Sequence, residues 1–161
     1  MITICLMPAS VHRVLAVAAK CGRIGCVFLD DGELVHWDIS ETAAASTKAA
    51  AEKLHEWLET YQPDCLISEN PDTASRKAGK QIPILRTFAQ IGEEQPLLNM
   101  IVPRHLTYPN LYIEAESLAE QFPDLEACVP AKTKIWQSEP RQFVYFEALA
   151  LVKQALVGGS M

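Results

Sequence analysis

At Ala44 the apolar residues of this chain stop recurring at strand spacing and begin to recur at helical spacing. Upstream, Arg13 to Ala18, Ile24 to Leu29 and Leu34 to Ile39 are short runs rich in Val, Ile, Leu and Phe, residue types that suit a pleated, half-buried surface. Asp30-Asp31-Gly32 separates the last two runs and is a hairpin signal, because these residues tolerate the positive φ angles of a tight turn. The pattern predicts an antiparallel three-strand meander. Downstream, Ala50, Leu54, Trp57, Leu58 and Tyr61 share one helical face, Lys48, Glu52, Lys53, Glu56 and Glu59 lie elsewhere, and Gln62-Pro63 ends the pattern. That is an amphipathic crossover helix.

The alternation continues. Asp64 to Glu69 is a buried strand finishing on a carboxylate and broken by Asn70-Pro71-Asp72. Ala78 to Ile91 is a helix with Ile84, Leu85, Phe88 and Ile91 inward, and Leu97 to Val102 is a fifth strand closed by Pro103. Tyr112 to Phe122 repeats Ala115, Leu118, Ala119 and Phe122 at helical spacing; a long connector from Phe122 to Pro140 leads to the most apolar helix, Arg141 to Val157. Strands reached through crossover helices pair in parallel. The expected fold is therefore α/β, with a five-stranded mixed sheet in which β1–β3 form the meander and the later strands are parallel. One domain spans residues 1–161, and segments 1–12 and 158–161 are expected to contribute little to it.

Composition narrows the function classes. With 161 residues, 49% apolar and 21% charged, the chain can bury an ordinary globular core. Its longest apolar stretches are too short to cross a bilayer, and the opening residues lack a signal peptide's basic flank, so a cytoplasmic protein is expected. Five cysteines with no C-x-x-C pair argue against a disulfide framework or zinc site. His12, His36, His55 and His105 have no metal-ligand spacing, and there is no P-loop, G-x-S-x-G or dinucleotide fingerprint. A net charge of −6 opposes diffuse attraction to phosphate, so nucleic-acid binding requires a local basic patch.

The segments VLAVAAKCGRIGCVFLDDGELVHW, YQPDCLISEN and FVYFEALALV, in this element order, resemble the RNase H-like superfamily and, within it, the RuvC-type Holliday-junction resolvases. The resemblance implies an RNase H-like fold, pairing of two copies through a helix, and branched or structured nucleic acid as a partner. It further implies carboxylates from the first strand, the fourth strand and the last helix converging on Mg²⁺ or Mn²⁺. Two such ions, about 3.5–4 Å apart, align a water and a phosphodiester only when several carboxylates bridge them. Glu69 keeps the fourth-strand acid and Glu147 the last-helix acid, and these two are the implied metal ligands. Ala18 and Val144 stand at the other expected acidic positions. The expectation is an incomplete two-metal site in a protein that binds nucleic acid with impaired catalysis. An active endonuclease recruiting Asp38 or Asp72 is one alternative; a module that assembles with itself through the Ala50–Tyr61 or Tyr112–Phe122 face is another.

Arg76, Lys77, Lys80 and Arg86 form the densest basic run and are the candidate phosphate contacts. Lys132, Lys134 and Arg141, near Trp136, are a sparser second set. Lys20 and Arg23 lie beside the vacated first-strand position and are candidates to fill the charge space of a metal. Glu147, set among Phe143, Phe146, Leu149 and Leu151, is expected to face a cleft or a cation, because a buried carboxylate without a partner is strongly unfavourable.

Overall fold

The computed structural model describes residues 11–20, 22–74, 77, 79–131 and 140–158, with side chains described through Ala155. Strands β1 (Arg13–Lys20), β2 (Arg23–Asp30) and β3 (Glu33–Ser40) are followed by α1 (Thr47–Tyr61), β4 (Cys65–Glu69), α2 (Gln81–Glu94), β5 (Leu98–Val102), α3 (Leu111–Gln121) and α4 (Phe143–Gly158). Short 3-10 turns lie at Thr42–Ala45, Pro71–Thr73 and Pro123–Cys128, the last inside the long connector. The sheet order is β3-β2-β1-β4-β5; β1, β2 and β3 pair antiparallel, and β1, β4 and β5 pair in parallel.

Local chemistry accounts for these elements. Asp31 and Gly32 both adopt positive φ, 51° and 84°, the backbone that a two-residue hairpin matched to strand twist demands. Ser46 caps α1 by accepting from Ala49 N at 3.1 Å, which satisfies one of the helix's orphan N–H groups. At the other end Gln62 turns left-handed, φ 46°, and its N–H bonds Leu58 O at 2.9 Å. All five residues of β4 are buried, as expected for a central parallel strand covered on both faces.

Side-chain alternation divides the core between two helical layers. Leu15, Val17 and Ala19 of β1 pack with Leu54, Trp57, Ile84, Leu85 and Phe88 of α1 and α2. Val14, Ala16 and Ala18 pack with Leu118 of α3 and Val144, Phe146 and Leu149 of α4. Each fully buried Leu, Ile or Phe contributes about 1.5–3 kcal/mol by leaving water, so both layers are required. The apolar faces of α1 and α3 proposed for self-association are spent on this core: Ala50, Leu54, Trp57 and Leu58, and Ala115, Leu118 and Ala119, are buried within the chain. Among the described residues no helix is long and apolar enough to cross a membrane.

The sheet splits at one corner. Pairing between β1 and β4 runs only from Val14↔Cys65 to Ala16↔Ile67, whereas β1 stays paired with β2 through Lys20. Beyond Ile67, β4 pairs with β5 through Glu69↔Val102. A gap therefore opens between the C-terminal ends of β1 and β4, the kind of place where open α/β sheets present functional side chains.

Beside this split, α4 approaches β1 and β2 closely. Ala18 pairs with Gly25, and a Cβ added at Gly25 would lie 2.6 Å from Val144 Cγ1 and 3.0 Å from Cγ2. Glycine is what lets the helix lie down here. Gly25→Ala is therefore expected to destabilise by about 1–3 kcal/mol through overpacking, and Val144→Ala in the same chain is expected to recover much of that loss. A double-mutant cycle by urea denaturation measures this; additivity of the two substitutions would contradict the contact.

Candidate functional site

Glu69, the last residue of β4, shares its strand face with Cys65 and Ile67, which pack under α3 and α4. Glu147, on the second turn of α4, is aimed into the same split. Their side chains are each only 5% exposed. The carboxylates expected to converge from the fourth strand and the last helix are thus brought together, and what holds them is a lysine. Lys77 Nζ donates to Glu147 Oε2 at 3.0 Å and to Ala19 O at 2.6 Å, and lies 3.4 Å from Glu69 Oε1. Its ammonium fills the split where the β1 carbonyls have no β4 partner.

A second cation and a third acid complete the cluster. Arg104, two residues beyond β5, donates from Nε to Glu147 Oε1 at 3.0 Å and from Nη1 to Glu114 Oε2 at 3.0 Å, while Nη2 also contacts Glu114 Oε1. Nη1 additionally donates to His105 O at 2.9 Å. This is the planar fork of arginine used bidentately on one carboxylate and singly on another. Glu114 lies in the first turn of α3, where the helix dipole favours a negative charge, and Asn110 caps that helix through Ile113 N at 3.0 Å.

The charges are unequally compensated. Burial pushes the Glu147 carboxyl up, but Lys77 and Arg104, with help from Lys20, overcome it and hold the group at about 2. Burial raises Glu69 above its ordinary value, only partly offset by Lys77. Among the described residues its Oε1 has no hydrogen-bond partner although the Lys77 ammonium is 3.4 Å away; that contact is ionic without hydrogen-bond geometry. Glu114 is likewise raised by burial, with Arg104 opposing. Glu147 is the shared anion at the centre, and Glu69 is the least satisfied of the three.

Ala18 and Val144, 1% and 0% exposed, pack into the α4-side core beside Gly25. Asp38 sits on the opposite sheet face, accepting from Trp57 Nε1 at 2.9 Å with Lys53 at 3.7 Å; its β2 partner Cys26 belongs to the α1 and α2 layer. Asp72 is exposed and faces Arg86 at 3.5 Å. Neither substitute acid joins Glu69 and Glu147; the acid that does join them is Glu114. Among the described residues no three His, Cys, Asp or Glu side chains are arranged to hold a metal ion.

Of the basic run, Lys77 is turned inward, so its charge is consumed by the acids. Lys80 is exposed and donates to Ala45 O at 2.6 Å, and Arg86 is exposed beside Asp72. Arg76, Lys132, Lys134 and Trp136 lie outside the described residues, and Arg141 is exposed. Lys20 acts electrostatically on Glu114 and Glu147, whereas Arg23 is 3.8 Å from Glu41.

Sequence patterns did not single out Glu114 or Arg104. Glu114 falls on the same helical stripe as Leu111 and Leu118, an acid set among residues that turn inward, and that signal was available. Arg104 carried none beyond following a strand end.

No family model matches this chain, and no curated protein matches it. Solved structures do. Thermus thermophilus RuvC superposes with a TM-score of 0.55 at 11% identity, covering 91% of this chain and 96% of that one. The Fowlpox virus resolvase, in a complex with Holliday junction DNA, gives a TM-score of 0.56 at 11% identity over 91% and 97%. The yeast mitochondrial Holliday junction resolvase Ydc2 gives 0.59 at 10% identity over 93% and 80%. The chain has the RuvC-like RNase H fold.

Proposed function

We propose that this chain binds branched or structured nucleic acid on an RNase H frame and does not hydrolyse it by two-metal chemistry. The carrying observation is the apolar seal of the corner: Ala18 and Val144 are packed against Gly25 in the core. A pair of hard divalent ions needs oxygen ligands there, and these side chains offer none. The acids that remain, Glu69, Glu114 and Glu147, are already met by Lys77 and Arg104. The residues present do not fit a pair of Mg²⁺ or Mn²⁺ ions.

Three things support binding. Two solved structures of this fold are complexes with Holliday junction DNA. Among the described residues the three carboxylates of the split meet Lys77 and Arg104, with Lys20 acting on two of them, so the corner opposes an approaching phosphate far less than three bare carboxylates would. Lys80, just before α2, and Arg86, on its second turn, present their side chains at the surface, three and nine residues beyond Lys77.

The decisive measurement pairs binding with cleavage. Four-way junction DNA is expected to bind at low salt, with affinity falling as salt rises, and to remain intact in Mg²⁺ or Mn²⁺. Lys80→Glu with Arg86→Glu is expected to weaken binding by roughly tenfold or more. Metal-dependent cleavage lost in Glu69→Gln would refute the non-hydrolytic reading; no binding even at low salt would refute the nucleic-acid reading and leave assembly with another protein as the function of the fold.

A further inference from the structure

The ammonium of Lys77 stands in a cage of oxygens: the Ala19 carbonyl at 2.6 Å, Glu147 Oε2 at 3.0 Å and Glu69 Oε1 at 3.4 Å. Two carboxylates and a backbone carbonyl are the ligand set of a hard cation, yet these distances suit a hydrogen-bonding ammonium rather than Mg²⁺, which binds oxygen at about 2.1 Å. Arg104 does the equivalent on the far side of Glu147, joining it to Glu114. Both cations are largely covered, with side chains 9% and 10% exposed. One arrives from the segment after β4 and the other from the segment after β5, and both end on α4.

We infer that Lys77 and Arg104 are the tethered counter-cations of this corner, taking the place that divalent ions hold when carboxylates converge in such a split, so that its rim is fixed with no metal bound. The inference rests on the reading of the corner as one that does not hold a metal pair, and is independent of nucleic-acid binding. Three carboxylates converging in a buried split repel one another unless positive charge lies between them, so something must supply it. A side chain supplies it at no cost in ligand concentration, and also pins the two segments that come after β4 and β5. Lys77 is the more exchangeable of the two, because its compact charge sits in an ion-like cage, whereas the Arg104 fork is matched to the plane of Glu114. Glu69 Oε1, buried and without a hydrogen bond among the described residues, is the oxygen an untethered ion would gain.

Thermal unfolding in EDTA and in millimolar MnCl₂ tests this. The unaltered protein is expected to melt within about 1 °C in the two solutions, since its cage is filled. Lys77→Met, which keeps the aliphatic stem and removes the charge, is expected to melt roughly 10 °C lower in EDTA and to regain several degrees in MnCl₂. Lys77→Arg is expected to keep most of the stability in EDTA. Should Lys77→Met not fold, Lys77→Met with Glu147→Gln, which removes one uncompensated acid, is expected to fold in EDTA. An equal MnCl₂ gain in the unaltered protein, full stability of Lys77→Met in EDTA, a Lys77→Met melt that ignores MnCl₂, or no recovery in the double variant would each overturn the inference. Failure of the nucleic-acid reading would show only in junction binding and leave these melts unchanged.

Discussion

Arg104→Leu is expected to be the most damaging single substitution at the corner, destabilising the protein by about 3–5 kcal/mol. The magnitude reflects what is stranded. Arg104 is the hydrogen-bonding partner of both Glu114 oxygens and of Glu147 Oε1, and both acids are almost fully buried. Leucine fills much of the space but leaves two carboxylates in a low-dielectric setting with one cation fewer, and breaking a buried ion pair from one side is far worse than never having had it. Arg104→Leu combined with Glu114→Leu is accordingly expected to be more stable than the single variant, because the stranded acid is gone as well. Equilibrium urea denaturation of the four proteins gives the coupling energy. A single variant within about 1 kcal/mol of the parent would mean that Arg104 is not what compensates these acids.

Acidification is expected to leave stability level or slightly raised down to about pH 5, then to lower it by on the order of 2–3 kcal/mol on the way toward pH 2. The opposing slopes come from opposite shifts in neighbouring groups. Glu147 is held at about 2 against an ordinary value of 4.5, burial being outweighed by Lys77, Arg104 and Lys20. A depressed acid contributes stability above its unfolded pKa and surrenders it as pH falls through the folded one. Glu69 and Glu114 are raised by burial; each burdens the fold at neutral pH, and protonation relieves that burden before Glu147 titrates. Asp64, lowered by the backbone N–H groups of Arg13 and His12, adds to the low-pH loss, so the parent curve alone does not isolate Glu147. Glu147→Gln does: its curve is expected to lose most of the decline below about pH 4.5. An unchanged decline in that variant would assign the acid sensitivity elsewhere.

Much of the architecture was legible because it is written in local periodicity. The three strand runs, the Asp31-Gly32 turn, the α1 stripe and the buried β4 each arise from side chains a few positions apart, and each was observed within a few residues of the expected bounds. Glu69 was legible as the carboxylate that finishes β4, and the resemblance implied its place at the site. Glu147 was legible as an acid among apolar neighbours that required a partner.

The partner was not legible. Lys77 reads as one of a basic run of candidate phosphate contacts, since its nearest charged neighbours in sequence, Arg76 and Lys80, are cations too. Its inward turn depends on Glu147, 70 residues away, and on a β1 carbonyl freed because β1 and β4 part after Ile67. Asp38 looked as eligible as any acid until strand pairing put it on the opposite face. Glu114 and Arg104 are unremarkable in isolation, one a helix-start acid and the other a cation after a strand. They become a unit only when α3, α4 and the end of β5 close over one split.

Periodicity, turn chemistry and the identity of Ala18 and Val144 were thus determined by the sequence alone, because backbone geometry couples residues a few positions apart and decides which of them face inward. The compensation of three acids by two particular cations was decided by the tertiary structure alone. Coulomb energy depends on distance in space and on the dielectric, and both are created only when the sheet and helices have excluded water from the corner.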